Sequence, residues 1–255
     1  MFKIGTTSYI YPADILVNVK KLAGRVRDIE LVLFEFEEAS NFPDKAVIDE
    51  LVDVSDRYGI SYTIHLPLDL ALAGEKPDIE KAIRVIGLTR RLNPEGYIVH
   101  LDGGGQRDVS ARLETSVDSL KALAGAVDSC SLLCVENLES QSQEFTDSVL
   151  DAMPVSTCAD VGHLWKRGED PAPVLAKRLD RTRIVHLHGL QGRDHRSLSF
   201  AEPIDLDPVV EFLLLNYQGI LTLEVFSEID FNESLEALRA SAARVLQRYP
   251  VRSGF

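Results

Sequence analysis

Along this chain of 255 residues, short apolar runs alternate with longer stretches whose apolar residues recur at helical spacing, and the alternation never lapses. Such a pattern belongs to repeated strand–helix units around a parallel sheet. The strand-like runs are Lys3 to Ser8, Ile29 to Glu35, Tyr62 to Leu66, Tyr97 to Leu101, Leu132 to Asn137, Ser156 to Asp160, Arg183 to His188 and Ile220 to Phe226. Helix signals fill the intervals. Pro12 suits a first turn ahead of the stripe Ile15, Leu16, Val19, Leu22 and Ala23, and Asp44 and Gly59 bracket a second helix as its caps. Later helices are read from Ile79 to Ile86, Leu113 to Ala124, Phe145 to Ala152, a short segment about Pro171 to Asp180, Val209 to Leu213, and Leu235 to Leu246.

Eight strands, each followed by a helix with no break in composition, predict an α/β chain forming one domain, 1–255, a closed (β/α)₈ barrel. The alternative is an open doubly wound sheet. Its first turn would carry a glycine-rich nucleotide cradle, whereas Gly5-Thr6-Thr7-Ser8 holds a single glycine.

Charge and composition narrow the partners. Forty acidic residues against 27 Lys and Arg leave a formal charge of −13, which opposes binding to a polyanion, so no nucleic-acid partner is expected. Apolar stretches such as Leu31 to Phe34 fall far short of the roughly 20 residues that span a bilayer. No cationic flank and apolar block follow Met1, so a cytoplasmic protein is expected. The cysteines, Cys130, Cys134 and Cys158, lack C-x-x-C spacing and are read as core residues.

A barrel builds its active site at the C-terminal ends of its strands. There this sequence places His65, His100, Glu136, Asp160, His163, His186, His188 and Glu224, with His195 in the loop after the seventh strand. Residues two apart on a strand share a face, so Glu136 goes with Cys134, His186 and His188 with Ile184, and His100 with Ile98. Each residue alone is more simply a hydrogen-bonded structural group or a cap. Gathered on one axis, several imidazoles and three carboxylates call for a neutralising divalent metal. Imidazole and carboxylate without a nearby thiolate suit zinc, manganese, iron or cobalt. Lesser candidates for substrate contact are Glu35, Tyr9, Trp165, Arg193 and His195, each with a bland reading as a rim or solvated side chain.

The series His65-Leu66-Pro67, His100, Val135-Glu136-Asn137, Asp160-Val161-Gly162-His163, His186-Leu187-His188 and Glu224 resembles the xylose-isomerase-like barrels. That superfamily contains sugar-phosphate isomerases, epimerases and the AP endonucleases with a zinc cluster. The resemblance implies that Glu136, Asp160, His186 and Glu224 hold a central metal, and that His65 and His100 hold a second one bridged by Glu136. His163 matches a third-metal ligand that the endonucleases complete with an Asp-x-His pair. Here the nearest pair, Asp194-His195, is contiguous, so two ions are expected. The stretches Gly5 to Leu16 and Asp28 to Glu35 also look like the cobamide-remodelling phosphodiesterases of the superfamily. The expected function is therefore metal-dependent hydrolysis of the nucleotide loop of a cobamide, a small-molecule substrate, with Glu136, Glu224 and His188 as catalytic candidates. The alternative is a metal-dependent sugar isomerase or epimerase in which Glu136 and Glu224 act as the acid/base pair.

Overall fold

The computed structural model describes residues 2–37 and 39–249, so the expected span 1–255 runs beyond the described residues at 1, 38 and 250–255. The strands, in chain order, are β1 (Lys3–Thr7), β2 (Asp28–Val32), β3 (Glu35–Phe36), β4 (Ala39–Ser40), β5 (Ser61–His65), β6 (Tyr97–Val99), β7 (Leu133–Glu136), β8 (Ser156–Asp160), β9 (Thr182–Leu187) and β10 (Ile220–Leu223). All but β3 and β4 form a closed parallel barrel, in which β1 pairs with β2 on one side and with β10 on the other. Closure leaves no sheet edge in the barrel, and the expected (β/α)₈ fold is the one observed.

The helices are α1 (Ile15–Leu22), α2 (Lys45–Tyr58), α3 (Ile79–Thr89), α4 (Val109–Ala124), α5 (Gln143–Ala152), α6 (Val161–Lys166), α7 (Pro171–Arg178), α8 (Pro203–Asn216) and α9 (Glu228–Arg248). Local chemistry accounts for their ends. The Asp44 side chain accepts the Val47 N–H at 2.9 Å to start α2, and Gly59 ends it in the left-handed conformation at φ 63°. The sixth unit differs from expectation, because α6 precedes the anticipated short helix α7. Asp160 caps α6 directly from the end of β8.

The second strand also ends early, at Val32 rather than Glu35. The Asn41 side chain accepts the Phe34 N–H and donates to the Val32 carbonyl, each at 2.8 Å, so the chain leaves the barrel and folds into the β3–β4 hairpin. Inside the barrel, Ile98, Cys134, Cys158 and Ile184 form a buried apolar cluster. Those four residues sit two positions before His100, Glu136, Asp160 and His186, so strand alternation turns the polar set toward the same axis, one step nearer the C-terminal mouth.

Candidate metal centre

Four strands deliver the central group. Ligand atoms of Glu136, Asp160, His186 and Glu224 all lie within 4.8 Å of one another, and all four residues are buried. The His186 Nδ1 stands 3.1 Å from Glu224 Oε2, 3.7 Å from Glu136 Oε2 and 3.9 Å from Asp160 Oδ2. A second group shares one member with the first: atoms of His65, His100 and Glu136 meet the same 4.8 Å limit. His100 Nε2 lies 3.0 Å from Glu136 Oε2 and His65 Nε2 lies 3.6 Å from the same oxygen.

Backbone partners aim these side chains. His65 donates Nδ1–H to the Leu66 carbonyl at 2.9 Å, which leaves Nε2 as the nitrogen that faces Glu136. Asp160 Oδ1 accepts the His163 N–H at 2.7 Å as the cap of α6, which leaves Oδ2 free. The Asn137 amide braces this corner from both sides: it donates to the Asp160 carbonyl and accepts the Asp160 N–H, each at 2.9 Å. Asp160 Oδ2, His186 Nδ1 and Glu224 Oε2 are thus buried without a hydrogen-bond partner. Orphaned ligand atoms that converge within coordination reach fit a divalent cation, because leaving them unpaired costs several kcal/mol in aggregate, roughly 1–3 for each neutral group and more for charged ones.

The electrostatics agree. Burial alone would raise the carboxyls of Glu136 and Glu224, yet His100 and His186 beside the first, and His186 and His195 beside the second, hold both well below the usual carboxylate range. Burial would lower His65 and His195, but the carboxylates around them prevail and push both up to about 9. A divalent cation would compete with protons for these ring nitrogens.

The cavity over the two groups measures about 600 Å³ and is lined by His65, His100, Glu136, His163, His195 and Glu224, with Phe34, Phe36, Leu68 and Leu138 at its walls. His163 Nδ1 is 3.0 Å from the Asn137 carbonyl, so its Nε2 faces Glu139 at 3.5 Å. His163, His188 and His195 bring one nitrogen each within 4.8 Å, while Asp194 is drawn away to Lys166 at 2.6 Å. His188 is fully buried and does not line the cavity: its Nδ1 accepts the His195 N–H at 3.1 Å and its Nε2 faces Asp160 Oδ1 at 3.3 Å. That Nε2 is buried without a hydrogen-bond partner, and a ring outside the cavity lining does not suit a group that meets substrate.

The substrate-contact candidates scatter. His195 enters the cavity, held at an unusual φ of 52°. Glu35 is instead tied to Arg84 and borders an outer recess beside the hairpin. Trp165 lines a separate cavity with Phe200 and Ile204, Tyr9 lies in a rim recess with its ring edge-on to Phe34, and Arg193 is exposed. Strand-end position selects the axis correctly, but loop residues are placed by loop geometry that no periodicity encodes. Two residues of the centre escape the strand-end search. Glu30, in mid-strand on β2, meets His186 Nε2 at 2.8 Å, and its signal is an acid flanked by apolar Ile29 and Leu31. Cys158, read from the sequence as a plain core residue, is the other, since its thiol lies with Glu136 and His186. Burial pushes that thiol well above its ordinary value, so it stays protonated and is a poor ligand.

No curated protein matches this chain. Among solved structures, a D-tagatose 3-epimerase-like protein superposes with a TM-score of 0.80 at 20% identity, covering 97% of this chain and 100% of its own. An L-ribulose 3-epimerase gives 0.72 at 16%, covering 100% of both chains. The family 2 AP endonuclease from Brucella melitensis gives 0.67 at 13%, covering 89% of this chain and 93% of its own. At such identities these likenesses speak for the fold. The family model described as xylose isomerase-like TIM barrel matches residues 25–248. A match of that extent makes this chain a member of the xylose isomerase-like TIM barrels.

Proposed function

We propose that the protein is a metal-dependent phosphodiesterase with two divalent ions, and that it opens the nucleotide loop of a cobamide. The observation that carries this reading is the sharing of Glu136 between two ligand groups, one with Asp160, His186 and Glu224 and one with His65 and His100. Divalent ions held there would supply Lewis acidity to polarise a phosphoryl oxygen and to acidify water for in-line attack. The chain's own residues do the rest. Asp160, with Oδ1 fixed by the His163 N–H and its backbone braced by Asn137, keeps Oδ2 in place without rearrangement. His195 and His163 line the cavity beside Glu224 and Glu139 and would be the groups at hand to protonate a departing oxygen. Phe36 and Leu68, each 64% exposed beside the mouth, offer an apolar ledge for a ring too large to enter. The net charge of −13 argues against a nucleic-acid phosphodiester as the substrate.

A second reading is sugar isomerisation or epimerisation, with Glu136 and Glu224 moving the proton. The printed titles of the solved neighbours, mostly epimerases, favour it over hydrolysis. It needs one metal, and it leaves His65 and His100 without a task.

One experiment separates the two. Metal content by mass spectrometry is measured on protein purified without chelator, and the same preparation is incubated with adenosylcobalamin and, separately, with a panel of ketohexoses. Two equivalents of metal and release of a cobinamide-type product support hydrolysis. One equivalent with sugar turnover and no cobamide cleavage rejects it.

A further inference from the structure

We infer that Glu30 is a positioning residue for the metal centre: it holds the His186 ring by Nε2 so that Nδ1 is presented to the cation. The inference rests on the metal centre of the proposed function and is independent of its substrate.

The two residues lie 156 positions apart and meet inside the barrel, where both are fully buried. Glu30 Oε2 is 2.8 Å from His186 Nε2, and the opposite nitrogen, Nδ1, is the one that faces Glu224, Asp160 and Glu136. An imidazole has two ring nitrogens, and a hydrogen bond at one decides the protonation of the other. A carboxylate accepting at Nε2 keeps the proton there, so Nδ1 is the nitrogen left to meet a cation, and it is buried without any other partner. Such an outer carboxylate also makes the ring a stronger donor and prevents it from turning.

Energetics argue that Glu30 is there for this contact. No Lys or Arg pairs with it among the described residues, and its second oxygen, Oε1, is buried without a partner. A carboxylate so placed costs stability that an apolar residue would not, and β2 is otherwise well suited to an apolar residue at this point between Ile29 and Leu31. Barrel register supplies the position. Glu30 pairs with Thr7 on β1 and Thr63 on β5, which sets it across the axis from β9.

The competing role is direct ligation, since atoms of Glu30, His65 and Glu224 also lie within 4.8 Å of one another. The test uses Glu30→Ala and Glu30→Gln in the full chain. Histidine ring nitrogens are followed by ¹⁵N–¹H NMR in metal-free protein, and affinity for zinc is measured by competition with a chromophoric chelator. The expected result is a downfield, slowly exchanging Nε2–H of His186 in the parent that is lost in Glu30→Ala, with zinc affinity at the central site lower by about 10- to 100-fold at full stoichiometry. Glu30→Gln, whose amide oxygen still accepts from Nε2, restores that signal and part of the affinity. An unchanged Nε2–H signal in Glu30→Ala overturns the inference even if the parent binds no zinc, the result that would instead sink the metal centre. Loss of a whole equivalent of zinc overturns it in favour of a ligand. A lower melting temperature with unchanged affinity overturns it in favour of a purely structural role.

Discussion

His188 lies so closely over Gly162 that a Cβ on residue 162 would stand 2.1–2.5 Å from three atoms of the imidazole ring. The motif Asp160-Val161-Gly162-His163 therefore has a packing reason for its glycine, since Asp160 both caps α6 and faces His188, and only a residue without a side chain leaves the ring its place. Gly162→Ala should force His188 away, destabilise the metal-free protein by about 1–3 kcal/mol as an overpacked core does, and weaken metal binding through Asp160. Chemical denaturation and metal titration on the same variant check both parts. An alanine variant with parental stability would remove the packing argument.

Glu136 belongs to both ligand groups, and its substitution should differ in kind from that of its neighbours. Glu136→Gln should abolish activity and most bound metal. His100→Ala should lose one equivalent while Asp160, His186, Glu224 and Glu136 keep the other, and phosphodiester hydrolysis should fall by orders of magnitude. Mass spectrometry under native conditions counts the ions. A single equivalent in both the parent and His100→Ala would reject the two-metal arrangement.

Beneath the metal centre, Asp28 is buried between Ser61 and Thr63, which donate to it at 2.7 and 2.9 Å. Burial pushes its carboxyl up to about 7, with the neighbouring Glu30 adding to the rise and the hydroxyl donors and Lys3 opposing it. Because the folded value exceeds the unfolded one, the folded state holds the proton more tightly, and the associated stability is complete below about pH 4 and lost as pH rises through 7. Asp28→Asn lacks this titration; its amide oxygen still accepts from one hydroxyl, while its NH2 donates to the other, which must turn to accept. Its stability relative to the parent should improve by about 2–3 kcal/mol between pH 5 and pH 8. Denaturant melts at the two pH values measure the change, and a pH-independent difference would contradict it.

Duplex binding offers a check on the substrate class. With an excess of 13 negative charges, the protein should show no tight, salt-sensitive association with DNA containing an abasic site, and no useful cleavage of it. Fluorescence anisotropy between 50 and 200 mM salt settles the point. Affinity that falls steeply across that range would return nucleic acid to consideration.

The periodicity of the chain determined much about this protein. Alternation within a strand and recurrence within a helix are local properties, so eight strand–helix units, the Asp44 and Gly59 caps, and the turning of Glu136, Asp160 and His186 to one axis could be read directly from residue spacing. Local rules also have limits. They extended the second strand through Glu35, where the Asn41 side chain ends it, and they merged α6 with its loop because the capping of Asp160 onto His163 leaves only a single turn and a half of helix. Only the tertiary structure decided that Glu30 meets His186, that Cys158 lies beside Glu136, that His188 faces Asp160 from inside the wall, and that Tyr9, Trp165 and Arg193 stay outside the main cavity. Those contacts join residues of distant strands, and their distances depend on the register and closure of the whole barrel, which no window of the sequence contains.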